Sequence, residues 1–322
     1  MRASSRPKTL QLHGMAILLL ANLSGGVSAA EVGVQTSTEA NRWQWLEGQR
    51  DQVSRGVTAL GRNLDDWLAG EGIGDQPNET YLRVRFHQQV GSLNGYHSTA
   101  NIGGSLDLPR TSQRWKLIFE SDNDELNSLQ NDVLGEKRTG AASGGFRYLQ
   151  DLNENLELSH DIGLRGRLPA DPYYRFRARF HHSLGNAWAL GINQKIWNYR
   201  SDGWGYDTNV MFTRPLASSD VLEISSKAKY QQNHNQVEFA QTVSLHQTLG
   251  NLVTLSYTVG ALGLSKPNPR INNYYVETQY RRAIRSDWLF LELVPQILVS
   301  RNENWRPEPR MIVNLELLFF DI

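Results

Sequence analysis

The chain has 322 residues, with 33 Lys and Arg against 33 Asp and Glu and no cysteine. The balance gives no basic field for nucleic acid, and the missing thiols exclude disulfides and thiolate metal sites. Mean hydropathy is -0.49, and no later run approaches the roughly 20 apolar residues of a spanning helix; a spanning β-barrel stays open, because only alternate residues of its strands meet lipid.

Residues 1–29 have the zones of a secretory signal: Arg2, Arg6 and Lys8, the apolar run Met15 to Leu23, and Val27-Ser28-Ala29 as a small-residue cleavage site. Removing it leaves 30 basic residues against 33 acidic ones. Residues 30–78 form a periplasmic leader. Within it, Leu46, Val53, Val57, Leu60, Leu64 and Trp67 fall at helical spacing among charged residues and predict an amphipathic helix over 41–70, closed by Gly70, Gly72, Gly74 and Pro77.

From residue 79 onward the period becomes two. Leu82, Val84 and Phe86 alternate with Arg83, Arg85 and His87. Strands follow over residues 99–108, 115–119, 144–150, 156–167, 173–182, 188–199, 206–213, 221–231, 237–247, 252–262, 274–282, 289–299 and 311–320. Ser121 to Arg138 reads as the longest polar connection. The total is fourteen antiparallel strands, with twelve to sixteen admissible, and the even number places both ends on one side. Alternate connections are short, as at Leu152 to Asn155, Gly185-Asn186 and Gly250-Asn251, which assigns them to the periplasmic rim. The fold class is therefore all-β: a closed transmembrane barrel in a bacterial outer membrane.

Leu106-Asp-Leu-Pro-Arg110, Lys116 to Asp122, Asp161-Ile-Gly-Leu-Arg165, Asp171 to Arg179 and Asp287 to Pro295 also resemble a family of uncharacterised proteobacterial outer-membrane proteins. The resemblance runs from about residue 75 to the end. It implies an outer-membrane barrel and carries over no catalytic residue. Such barrels often close on a terminal Phe read by the barrel-assembly machinery; here Phe319-Phe320 is followed by Asp321-Ile322.

With the apolar parity facing lipid, the lumen receives charges of both signs. Arg175, Arg177 and Arg179 line one strand, with Arg83 and Arg85 elsewhere, and Glu292 and Glu316 supply acid. Tight hairpins would set Asp161 against Arg179 and Lys229 against Glu238, and closure would bring Glu316 to Arg83 or Arg85. The arginine ladder points to a passive pore for small polar or anionic solutes. A scaffold that docks a periplasmic protein, or a second copy, through residues 41–70 is the alternative. A lipid hydrolase is a weaker one, resting on His160 at a lipid-facing position but without a His-x-Ser pattern. No cofactor, metal or nucleic acid is expected. Adjacent His181 and His182 point to opposite faces, and Gly140 to Gly145 lacks the lysine and helix of a phosphate loop.

Overall fold

The structure, a computed structural model, describes residues 43–55, 59, 80–93, 95–108, 114–121, 124–134, 140–250, 252–285 and 288–320. The predicted signal lies outside them. The chain divides into two compact units, Met1–Gln52 and Val53–Ile322. Residues 43–55 are helical (α1), inside the predicted 41–70. Leu46 is half-buried and Val53 exposed, while the stripe positions Val57, Leu60, Leu64 and Trp67 lie outside the described residues.

Fourteen antiparallel strands close into a barrel in chain order. They are β1 (Tyr81–Gly91), β2 (Gly95–Asp107), β3 (Trp115–Glu120), β4 (Ser143–Asn153), β5 (Leu156–Arg165), β6 (Asp171–Gly185) and β7 (Trp188–Tyr199), then β8 (Gly203–Pro215), β9 (Asp220–Gln231), β10 (Gln236–Leu249), β11 (Val253–Leu264), β12 (Arg270–Arg285), β13 (Leu289–Ser300) and β14 (Pro307–Phe320). The seam is continuous: β1 pairs with β14 from Tyr81 opposite Phe320 to Gly91 opposite Arg310. Closure gives every strand two hydrogen-bonded neighbours, the arrangement by which a sheet sits in hydrocarbon, although β2 meets β3 only from Gly103 to Asp107.

Alternation sorts the side chains. On β12, Tyr274 and Val276 are exposed on the outer surface while Tyr275 between them is buried in the lumen. Val243, Val259, Ile162 and Ile297 extend the exposed apolar surface around the barrel, as a lipid-facing band requires. We call the rim with the β4–β5, β6–β7 and β10–β11 turns the turn end and the opposite rim the loop end.

Two departures from a greasy-outside, polar-inside wall matter for function. The shortest strand is β3, because after Glu120 the chain leaves the wall and enters the barrel. Its ladder with β4 ends at Glu120 opposite Ser143, and Ser121 is held by Ile102 O at 2.7 Å. The segment between β3 and β4 contains a 3-10 turn, Asp124–Leu126, and a short helix, α2 (Leu129–Leu134). Second, apolar side chains also point inward on the β11–β14 side. Leu262, Leu298 and Tyr275 are buried with Leu129 of α2 in one cluster that includes Ala240 of β10.

Candidate functional site

The lumen is crossed by the β3–β4 segment. Its first anchor is aromatic. Tyr173, Trp197 and Tyr199 are buried against one another on the inner wall of β6 and β7, with Leu126 packed on them. These rings lie flat because the wall beneath has no side chains: a Cβ on Gly145 or Gly163 would come within 3 Å of Tyr173, and one on Gly205 would meet the Trp197 ring. The glycine-rich stretch before and in β4 thus has a steric role. The second anchor is Leu129 in its apolar cluster on the opposite wall. Polar clamps fix the backbone between them. Gln231 Nε2 donates to Glu125 O (2.7 Å), the backbone N–H of Leu129 donates to Glu238 Oε2 (2.6 Å), and Ser128 Oγ caps α2 by accepting from Asn131 N (2.9 Å).

The ionic anchor is Glu125, buried with its carboxylate aimed at the β6–β7 wall. Arg175 Nη1 donates to Glu125 Oε1 at 2.7 Å, Tyr199 OH donates to the same oxygen, and Lys195 Nζ stands 3.9 Å from Oε2. Burial alone would raise this carboxyl; the Arg175 and Lys195 charges and the Tyr199 hydrogen bond outweigh it and hold the group well below the usual carboxylate range.

Arg175 is also the hub of the wall's charge network. It reaches Glu120 at 2.7 Å and Asp161 at 3.1 Å. Asp161 is fully buried and accepts from three guanidiniums: Arg147 (2.7 and 3.0 Å), Arg175, and Arg177 (2.6 Å). The predicted partner of Asp161 is therefore corrected. The β5–β6 register sets Asp161 opposite Arg175 and Glu157 opposite Arg179, with Arg179 bonded to Glu157 at 2.8 Å. The connection is centred on Leu168, two residues before the position that would align Asp161 with Arg179.

Lys229 and Glu238 do lie opposite each other, and both are buried. Lys229 Nζ sits 5.9 Å from the Trp197 ring centre, while Glu238 receives the N–H of Leu129. At the seam, Glu316 pairs with Arg85 (2.5 Å) and with Arg281 (3.0 Å). Arg83 stands one inward position nearer the turn end, opposite Leu318 and exposed. Glu292 accepts from Asn314 (2.5 Å) and approaches Arg281 at 3.5 Å.

The three ladder arginines occupy very different surroundings. Relative exposure of the side chain rises from 0% at Arg175 to 15% at Arg177 and 52% at Arg179. Toward the turn end the lumen opens into a cavity of about 290 Å³ lined by Arg177, Arg179, Lys195 and Lys227 together with Asp207, Asn193 and Asn209. Lys227 pairs with Asp207 at 3.2 Å. Toward the loop end, inward side chains are closed over. Gln89 and Asn273 are fully buried, and Glu308 and Arg310 form a buried pair at 2.6 Å. Sequence reading placed those last two in a polar connection, because Pro307 and Pro309 masked the start of β14.

No family model and no curated protein matches the sequence. Solved structures do match in shape. A loop-deletion form of OmpT, an outer membrane protein of Vibrio cholerae, gives a TM-score of 0.48 at 7% identity, over 75% of this chain and 99% of that one. The outer membrane channel DcaP of Acinetobacter baumannii gives 0.42 at 8%, over 78% and 100%. The KdgM porin gives 0.36 at 5%, over 73% and 98%.

His160 faces outward. Its Nδ1 is 2.8 Å from Tyr174 OH and its ring lies 5.2 Å from that of Phe176. Both neighbours are aromatic, the composition of an interfacial belt.

Proposed function

We propose that this chain is an outer-membrane pore for small polar or anionic solutes, closed at its loop end by the β3–β4 segment. The observation that carries the reading is the gradient along β6. A basic vestibule open at Arg179 narrows through Arg177 and ends on Arg175, where a segment of the chain, rather than the wall, fills the lumen. A barrel stabilised only by its interior would have no reason to keep a charged cavity at one end and a separately anchored stopper at the other. The charged wall selects for anions because Arg177, Arg179, Lys195 and Lys227 converge there, with Asp207 as the one acid in the lining. Short turns at the open end assign it to the periplasm.

Two partners besides lipid belong to the same reading. The barrel-assembly machinery inserts the chain, and residues 41–70 dock a periplasmic protein or a second copy. The test is planar-bilayer conductance in a KCl gradient, with and without residues 41–70. The expected reversal potential has the sign of anion preference, and the truncated chain keeps it. Cation preference, or silence of both chains under all voltages, would sink the pore; conductance that appears only on truncation would make the leader a plug instead of a docking element.

A further inference from the structure

Glu125 is a carboxylate bound in a site. Its position is made by wall residues on two strands: Arg175 of β6, and Lys195 and Tyr199 of β7. Both Arg175 and Tyr199 are fully buried. Arg175 Nη2 lies 3.1 Å from Asp161 yet makes no hydrogen bond of good geometry, so the site holds a spare donor beyond those Glu125 uses. A buried guanidinium with an unused N–H is costly and suits a second carboxylate oxygen in a bidentate pose. Lys195 lines the vestibule and also stands 3.9 Å from Glu125, which places the anchor one side chain away from the cavity.

We propose that Arg175, Lys195 and Tyr199 form a carboxylate-binding site that the chain occupies with its own Glu125, and that a carboxylate solute entering by the vestibule takes this place and releases the β3–β4 segment. The inference rests on the pore reading. Exchange of one carboxylate for another keeps all the wall charges compensated, whereas simple withdrawal of Glu125 would leave Arg175 with Glu120 and Asp161 alone. A solute with two carboxylates has the further advantage of meeting Arg177 or Lys227 with its other end. The remaining anchors, Leu126 on its aromatic ring group and Leu129 in its apolar cluster, hold the segment near the wall and make release reversible.

The experiment is single-channel recording of the full chain in planar bilayers, with succinate as the probe. In KCl the native chain opens rarely; millimolar succinate on the turn-end side raises open probability about tenfold. Glu125→Gln opens frequently in KCl and gains nothing from succinate. A second design needs no charge change. Asn127→Cys with Gln231→Cys, in a chain that has no other cysteine, puts a covalent tether where Gln231 Nε2 donates to the backbone O of Asn127 at 3.3 Å. Oxidised, this form ignores succinate; reduced, it responds. If Glu125→Gln conducts freely but succinate leaves the native chain unchanged, displacement is wrong and the pore stands. If no form conducts, the pore reading and the inference both fall.

Discussion

Arg175 and Arg179 are the same residue type on the same face of the same strand, two inward positions apart, yet one is sealed and the other is half in solvent. The wall does not make this difference. Both sit on regular antiparallel pairs and both meet acids across the strand. What differs is the β3–β4 segment, which covers one level of the lumen and not the next. A buried guanidinium is retained only with full compensation, and Arg175 has three carboxylates, Glu120, Glu125 and Asp161. An exposed one needs a single partner or none, and Arg179 has Glu157. The loop-end half of the lumen is thus built as a core, and the turn-end half as a binding surface.

The sharpest break of this contrast is Asp161→Asn. It removes the acceptor of Arg147, Arg175 and Arg177 at once and leaves buried positive charge uncompensated, at a cost of about 3–5 kcal/mol. The expected outcome is a large drop in the temperature at which the folded barrel loses its compact mobility on a denaturing gel. A melting temperature within a degree or two of the native one would show that the loop-end lumen is solvated and not a core.

Acid gives a smaller, reversible effect. The folded-state affinity of Glu125 for a proton is depressed by Arg175, Lys195 and Tyr199 against the effect of burial. Such a group contributes stability that is fully present above the ordinary carboxylate value, about 4.3, and is lost as pH falls through its lower folded value. Conductance is therefore flat between neutral pH and about pH 5 and rises only on going well below the ordinary value. Opening between pH 7 and 5 would show that a histidine governs closure instead of Glu125.

Much of this was legible in the residues. Period-two alternation gave the strand number and, for β7, the very bounds Trp188–Tyr199. Parity survives an error in register of four, so Asp161 and Arg179 were placed inside although their partners were misaligned by the position of one turn. The β3–β4 segment was not legible as an insert. Polar composition reads as an exposed connection, and its four apolar residues, Leu126, Leu129, Val133 and Leu134, are too few over eighteen positions to mark it as having something to bury. Its receptors are Gly145, Gly163 and Gly205 under aromatic rings and Leu262 and Leu298 at inward positions. They become visible as a set only when strands distant in sequence stand side by side, and the same holds for the Glu308–Arg310 pair and its position beside Gly91.

The smallest expected effect is the most telling for function. Arg179→Gln breaks a pair with Glu157 in which both side chains are more than a third exposed, worth about 0–1 kcal/mol, so folding and thermal stability stay at native values. Selectivity does not, because Arg179 is one of the four cations at the mouth of the vestibule and a charge in a low-dielectric constriction acts on each passing ion. The reversal potential in a KCl gradient should move toward zero, and Glu157→Gln, which frees Arg179 to meet solute, should move it the other way. Opposite shifts from the two partners of one ion pair, with neither altering the melting temperature, would separate a binding surface from a core by function alone. Equal shifts, or a loss of stability from either, would mean that Arg179 belongs with Arg175 and that the vestibule is a continuation of the packed lumen.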